Sequence, residues 1–185
     1  MLKQVQHDNF LTLGDDALFN ARGCLFCYTV FMNKGEQAKE LFIQGHNCAQ
    51  AVFCTFAPEL KIDAPTALAL SACFGGGLAR QREVCGAVSG MCMALSMKYA
   101  PKDPTDHAAK AAFYARIQEV CNRFKQANGS IICRELLGLA PGPQSPTPDV
   151  RNADYYAHRT CPDKVKCAAA ILEQYLEEQH EKISI

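Results

Sequence analysis

The sequence predicts an all-α fold, an irregular bundle of about five or six helices. Three observations carry that prediction. Apolar residues recur at helical spacings of three and four along several stretches. Glycine, proline and Asn/Asp cap residues punctuate those stretches at their ends. β-Branched alternating runs are few, and hairpin turn signals are absent.

From Met32 to Leu60, Ala38, Leu41, Phe42, Cys48, Ala49, Val52, Phe53 and Phe56 mark one amphipathic helical stretch. Gly45-His46-Asn47 is a candidate break in it, and Pro58 is its expected end. Asp63, with Pro65 two residues on, reads as the N-cap of a helix that stops at Gly75-Gly76-Gly77. A further helix is expected from about Cys85 to Tyr99, before Pro101. Pro104 to Ala127 reads as a long helix closed by Asn128-Gly129. A short helix is expected over Cys133–Leu137, stopped by Gly138, and Ala140 to Asp149, with four prolines, as an irregular loop. The last helix is expected to start after Cys161-Pro162-Asp163 and to end near His180. Residues 32–182 form the expected single domain, and residues 1–31 read as an upstream extension without clear periodicity.

Composition narrows the function. Lys+Arg and Asp+Glu are both 19, so the formal net charge is zero. That balance removes the simple electrostatic case for nucleic acid or an anionic membrane surface. No apolar run approaches the ~18–20 residues of a membrane span. The apolar stretch Cys24 to Met32 is short and lacks a cleavage site, so it does not read as a signal peptide. A reducing cytoplasm is the expected compartment. Eleven cysteines stand in 185 residues, an odd count. In that compartment cysteines serve as metal ligands, redox thiols or packing residues more often than as structural bridges.

Helix geometry sorts them. Cys48/Cys54 and Cys161/Cys167 are six residues apart, which turns the two members of each pair away from one another on a helix. Cys85 and Cys92 share a face but are separated by about 10 Å along the axis, too far for one metal ion. Cys85, Cys133 and Cys161 stand where helices start, where free N–H groups and the dipole favour thiolate. Cys48 follows the Gly45–Asn47 break. Cys54, Cys73, Cys92, Cys121 and Cys167 fall inside apolar stretches and are expected to pack in the core. Gly86 and Gly90 form a small face that lets a cofactor or another backbone approach the helix carrying Cys85. Arg80 and Arg82 are expected on a solvated loop, and His107 and His158 at the surface. Asp103 and Asp106 read as capping charges, and Glu173, Glu177, Glu178 and Glu181 as a solvated face. No Ser/His/Asp array, Walker loop or H-E-x-x-H motif is present, so a hydrolase or kinase is unsupported.

The segments GHNCAQAVF, FGGG, CGAVSG, SIICRELLG and CPDKVKCAAAIL, in this order, resemble the C_GCAxxG_C_C family of small helical bacterial and archaeal proteins described as redox-active. The resemblance covers about residues 32–180 and implies that Cys48, Cys85, Cys133 and Cys161 are the functional cysteines. His46 departs from the aromatic residue the family pattern leads one to expect, which leaves a polar role open there. The family start resembles MNKGEQA at Met32, which again sets residues 1–31 apart. The C-x-x-C at Cys24 and Cys27 is followed by Tyr28, so haem attachment is not indicated.

Four thiolates from separate helices suit a tetrahedral zinc ion or an iron–sulfur cluster. The paired knuckles of structural zinc are absent among these four. A similar helical module in cytochromes thought to carry a 2Fe–2S cluster implies a cluster here, serving electron transfer, with the four cysteines as ligands and Gly86 and Gly90 leaving room. A thiol–disulfide protein with Cys85 as the attacking thiolate is the alternative. A helical domain with structural zinc or merely buried cysteines that binds a partner is another. A redox partner protein is implied without being identified, and the oligomeric state, a homodimer included, is left open.

Overall fold

The Asn33 side chain accepts from the Glu36 N–H at 2.9 Å and starts helix α1, Lys34–Ile43. In the computed structural model residues 32–183 are described. Residues 1–31, with Cys24 and Cys27, lie outside the described residues. Gly45, at φ 111°, breaks the chain after α1, in the conformation only glycine takes cheaply. Helix α2 (Cys48–Phe56) follows, then α3 (Ala64–Ser71), whose start is capped by Asp63 accepting from Thr66 N–H at 3.0 Å. Helix α4 spans Gly86–Tyr99, and α5 His107–Asn128 between the Asp106 cap and Gly129 at φ 87°. Two short helices, α6 (Cys133–Leu136) and α7 (Ala153–His158), flank the proline-rich loop, and α8 is Cys161–Ile183.

The all-α class and the helix count agree with the sequence reading: six helices have eight or more residues. Among the described residues the sole β feature is one antiparallel bridge, Val84 with Ile132. Several boundaries differ: α3 already ends at Ser71, short of Gly75-Gly76-Gly77, and α8 runs on to Ile183. The fifth helix begins at His107 rather than Pro104, because Asp106 captures the Ala109 N–H at 2.9 Å. The last helix already includes Cys161 and Pro162, the proline tolerated in a first turn. Helix α7 was not expected; its start is the Asn152 cap, accepting from Tyr155 N–H at 2.9 Å.

Helix α2 is the centre. Ala49, Ala51, Val52, Phe53, Thr55 and Phe56 are all buried, so apolar neighbours cover most of its circumference. It packs against α1, α3, α4 and α8. Helix α4 contributes Val88, Met91 and Leu95, α5 Val120 and Phe124, and α8 Val165, Ala168, Ala169, Leu172 and Tyr175. Each large side chain removed from water contributes about 1.5–3 kcal/mol. Gly90 decides how close α2 and α4 come. A Cβ there would stand 2.6 Å from the Ala49 carbonyl oxygen and 3.1 Å from the Val52 Cβ. No described helix is long and apolar enough to cross a membrane.

A candidate four-thiol redox centre

Four helices begin at one cavity. Cys48, Cys133 and Cys161 are the first residues of α2, α6 and α8, and Cys85 is the N-cap of α4. All four line a cavity of about 310 Å³. The chain thus brings helix N-termini, the positive ends of their dipoles, to one set of sulfurs.

Each thiol is fixed by local structure. Before Cys48, the Asn47 side chain accepts from the Ala49 and Gln50 N–H groups, both at 2.9 Å, while Gln50 Oε1 accepts from Asn47 N–H at 3.1 Å. Asn47 Nδ2 also donates to the Ala72 carbonyl at 2.9 Å, tying this helix start to the end of α3. Cys85 and Cys133 are set side by side by the Val84–Ile132 bridge. Its flanking bonds run from Cys85 N–H to Ile131 O at 2.8 Å and from Cys133 N–H to Glu83 O at 2.6 Å. Cys48 and Cys161 perturb one another most: each is the leading cause of the other's shifted acidity.

The positive charge comes from four loop arginines and one lysine in the first turn of α8. Arg80, Arg82, Arg151, Arg159 and Lys164 line the cavity, against one carboxylate, Asp149. Asp149 pairs with Arg80 at 3.2 Å and with Arg159 at 2.5 Å, and these guanidinium groups, Arg80 first, hold its carboxyl below the usual range. Arg82 is only 4% exposed; it donates to Gln144 Oε1 at 2.6 and 3.0 Å and stands 3.8 Å from the Cys133 sulfur. Arg151 donates to the carbonyls of Phe42 and His46 at 3.0 and 2.8 Å and lies over the Phe42 ring. The solvated loop expected for Arg82 is thus corrected: its burial follows from the path of the preceding backbone.

That path is left-handed. Gly76, Gly77, Leu78, Ala79 and Arg80 have φ of 65°, 69°, 61°, 46° and 67°, and Arg82 follows at 63°. Each non-glycine residue held there costs roughly 1–2 kcal/mol. Strain of this kind persists only where the surroundings over-determine it, and it collects at functional sites. Ala79 N–H to Cys73 O at 2.8 Å and Glu83 N–H to Gly77 O at 3.1 Å hold the turn. A Cβ on Gly77 would stand 2.7 Å from the Cys133 Cβ, so the turn presses closely on that cavity cysteine.

The thiols differ in acidity. Cys161 is lowered to about 7, first by the hydrogen bond from Cys48 and then, against burial, by Arg159, Arg82 and Arg151. Cys48, donor to Cys161 and buried, is raised well above the usual thiol range. Burial pushes Cys85 up to about 12 although the Ala87 and Val88 N–H groups favour its thiolate. Cys133 is raised by burial, with Arg82 pulling the other way. Burial disfavours charge on all four thiols, and Cys161 is the one that carries it most readily.

Among the described residues no three His, Cys, Asp or Glu side chains are grouped to hold one metal ion.

Gly86 lines the cavity, and a Cβ there would meet the Phe74 carbonyl oxygen at 2.7 Å and the Cys48 Cβ at 3.1 Å. Gly90 does not line it; its missing side chain lets α4 reach α2. Of the other cysteines, Cys54, Cys92, Cys121 and Cys167 are half-buried and pack against the core as expected, while the expectation is corrected for Cys73, which is exposed; Cys85 and Cys133 are the buried ones. His46 is bonded through Nδ1 to the Leu41 carbonyl at 2.9 Å, and His107 and His158 are exposed. The sequence reading did not identify Asp149, Arg151, Tyr155 or Arg159; the Asn152 cap motif was the available sign of order after the proline loop.

Comparison with known proteins gives one match: the family described as "Putative redox-active protein (C_GCAxxG_C_C)" matches residues 46–175, more than half of the chain and all four cavity thiols. No curated protein and no solved structure matches significantly.

Proposed function

This chain belongs to the C_GCAxxG_C_C redox-active family, and on that premise we propose that Cys48, Cys85, Cys133 and Cys161 hold a 2Fe–2S cluster for electron transfer. The observation that carries the reading is that all four thiols line one cavity, amid four arginines and a lysine offset by one carboxylate. A cluster with four thiolates has a net negative charge that grows by one on reduction, and it supplies one-electron chemistry. The protein's own part is electrostatic. The helix N-termini and guanidinium groups stabilise thiolate and favour the reduced state. The aromatic and apolar walls from Phe42, Leu136 and Tyr155 limit water.

Anaerobic purification followed by absorption spectroscopy and iron and acid-labile sulfide assays tests this. The expected result is visible charge-transfer bands with about two irons and two sulfides per chain. C85S or C161S is expected to lose them, while C167S keeps them. A colourless protein without iron after anaerobic reconstitution overturns the reading.

A second reading is favoured by Cys161, whose thiol is lowered to about 7 with Cys48 as the leading cause. In it Cys161, rather than Cys85, is the attacking thiolate and Cys48 the resolving thiol. Reversible titration of two thiols per chain in iron-free protein, lost in C48S, supports it.

A further inference from the structure

We propose that Cys92 and Cys121 form a second redox site, a dithiol that closes reversibly to a disulfide between α4 and α5. Their sulfurs are hydrogen-bonded at 3.7 Å. A disulfide is about 2.05 Å long, so closure needs a shift of about 1.7 Å. Neither thiol lines the four-thiol cavity. Cys92 lies two turns along α4 from Cys85, roughly 10 Å at the helical rise. Both thiols are half-buried rather than sealed. Cys92 also lines an apolar groove whose wall includes the exposed residues Leu70, Leu78 and Val84, which gives a small oxidant a way in.

Either sulfur can donate in this contact, and the direction with Cys92 donating makes the pair asymmetric. That bond holds Cys121 below the ordinary thiol range and Cys92 above it. With hydrogen peroxide as oxidant, the Cys121 thiolate attacks one peroxide oxygen and the O–O bond breaks. Cys121 becomes a sulfenic acid, and hydroxide leaves and takes up a proton. The Cys92 sulfur then attacks the Cys121 sulfur, the S–S bond forms, and the sulfenic oxygen leaves as water with the Cys92 proton. Two thiols give up two electrons and two protons, and one peroxide becomes two waters. A small dithiol such as dithiothreitol reverses the closure by exchange. The bridge ties α4, which starts at the four-thiol cavity, to α5, which otherwise packs mainly on α8.

The test uses the full-length protein, reduced, treated with equimolar hydrogen peroxide, blocked with iodoacetamide and digested with trypsin without reductant. The expected product is peptide 83–98 linked to peptide 117–123, reversed by dithiothreitol, with yield falling at least tenfold in C92S and in C121S. Because peptide 83–98 carries both Cys85 and Cys92, fragment-ion sequencing of the linked species assigns the bond without relying on the folding of any variant. Recovery of both peptides fully alkylated from the treated wild-type protein, or a bond assigned to Cys85, overturns the proposal.

Discussion

Arg82 holds its guanidinium 3.8 Å from the Cys133 sulfur while Gln144 accepts two of its hydrogen bonds. A positive charge this well buried is stable only with such partners. The left-handed run before it delivers the side chain inward.

Replacing this arginine by methionine keeps the stem and removes the charge. R82M is expected to lose about 2 kcal/mol of stability, the range for hydrogen bonds of a charged group. Cys133 is expected to become a weaker acid. Denaturant unfolding checks the first, and the pH dependence of Cys133 alkylation the second.

Cys161 should be the first cavity thiol to react in metal-free protein. Its thiolate is the reactive species, so the iodoacetamide rate is expected to climb as pH rises through about 7 and to fall away below it. In C48A the hydrogen bond is gone and the midpoint moves up toward the ordinary thiol range. In D149N it moves down, because Arg159 loses its carboxylate partner and acts on the sulfur unopposed. Mass-spectrometric alkylation profiles of the three proteins decide the order.

Alanine at the two glycines of α4 separates packing from chemistry. Overpacking of this kind typically costs 1–3 kcal/mol, and both G86A and G90A are expected to be destabilised by about that amount. Only at Gly86 does the added carbon meet Cys48, at 3.1 Å. G86A should therefore also change the Cys161 alkylation midpoint, whereas G90A should leave it in place. A shared midpoint shift would count against a distinct role for Gly86.

Asn47 caps α2 and reaches the Ala72 carbonyl. N47A is expected to cost about 1–2 kcal/mol through the lost cap. N47D restores the acceptor toward Ala49 and Gln50 but cannot donate to Ala72. It should recover part of the loss in thermal unfolding.

Much of the fold was legible because its helices carry their own punctuation. Asp63, Asp106 and Gly129 stand at ends that local rules recognise. Cys85, Cys133 and Cys161 could be singled out by helix starts, and the family motifs added Cys48 to the same set. The arginines could not be read this way. Arg82 looks like any loop residue until the backbone before it is known to wind left-handed through Leu78, Ala79 and Arg80, residues whose intrinsic preference is the opposite hand. Arg151 and Arg159 are brought to the cavity by contacts with Phe42 and Asp149, more than a hundred residues away in the first case. The Cys92–Cys121 proximity joins two helices whose relative placement no spacing rule supplies.

Thirty-six, forty-seven and twenty-seven residues intervene between successive sulfurs of the cavity. During synthesis the ribosome must release Cys161, and α8 must dock, before the fourth sulfur joins the other three. A nascent chain stopped within the proline-rich loop carries three of the thiols and none of the helix that seats the last. Emergence and docking of α8 therefore act as the checkpoint for any event that needs all four at once.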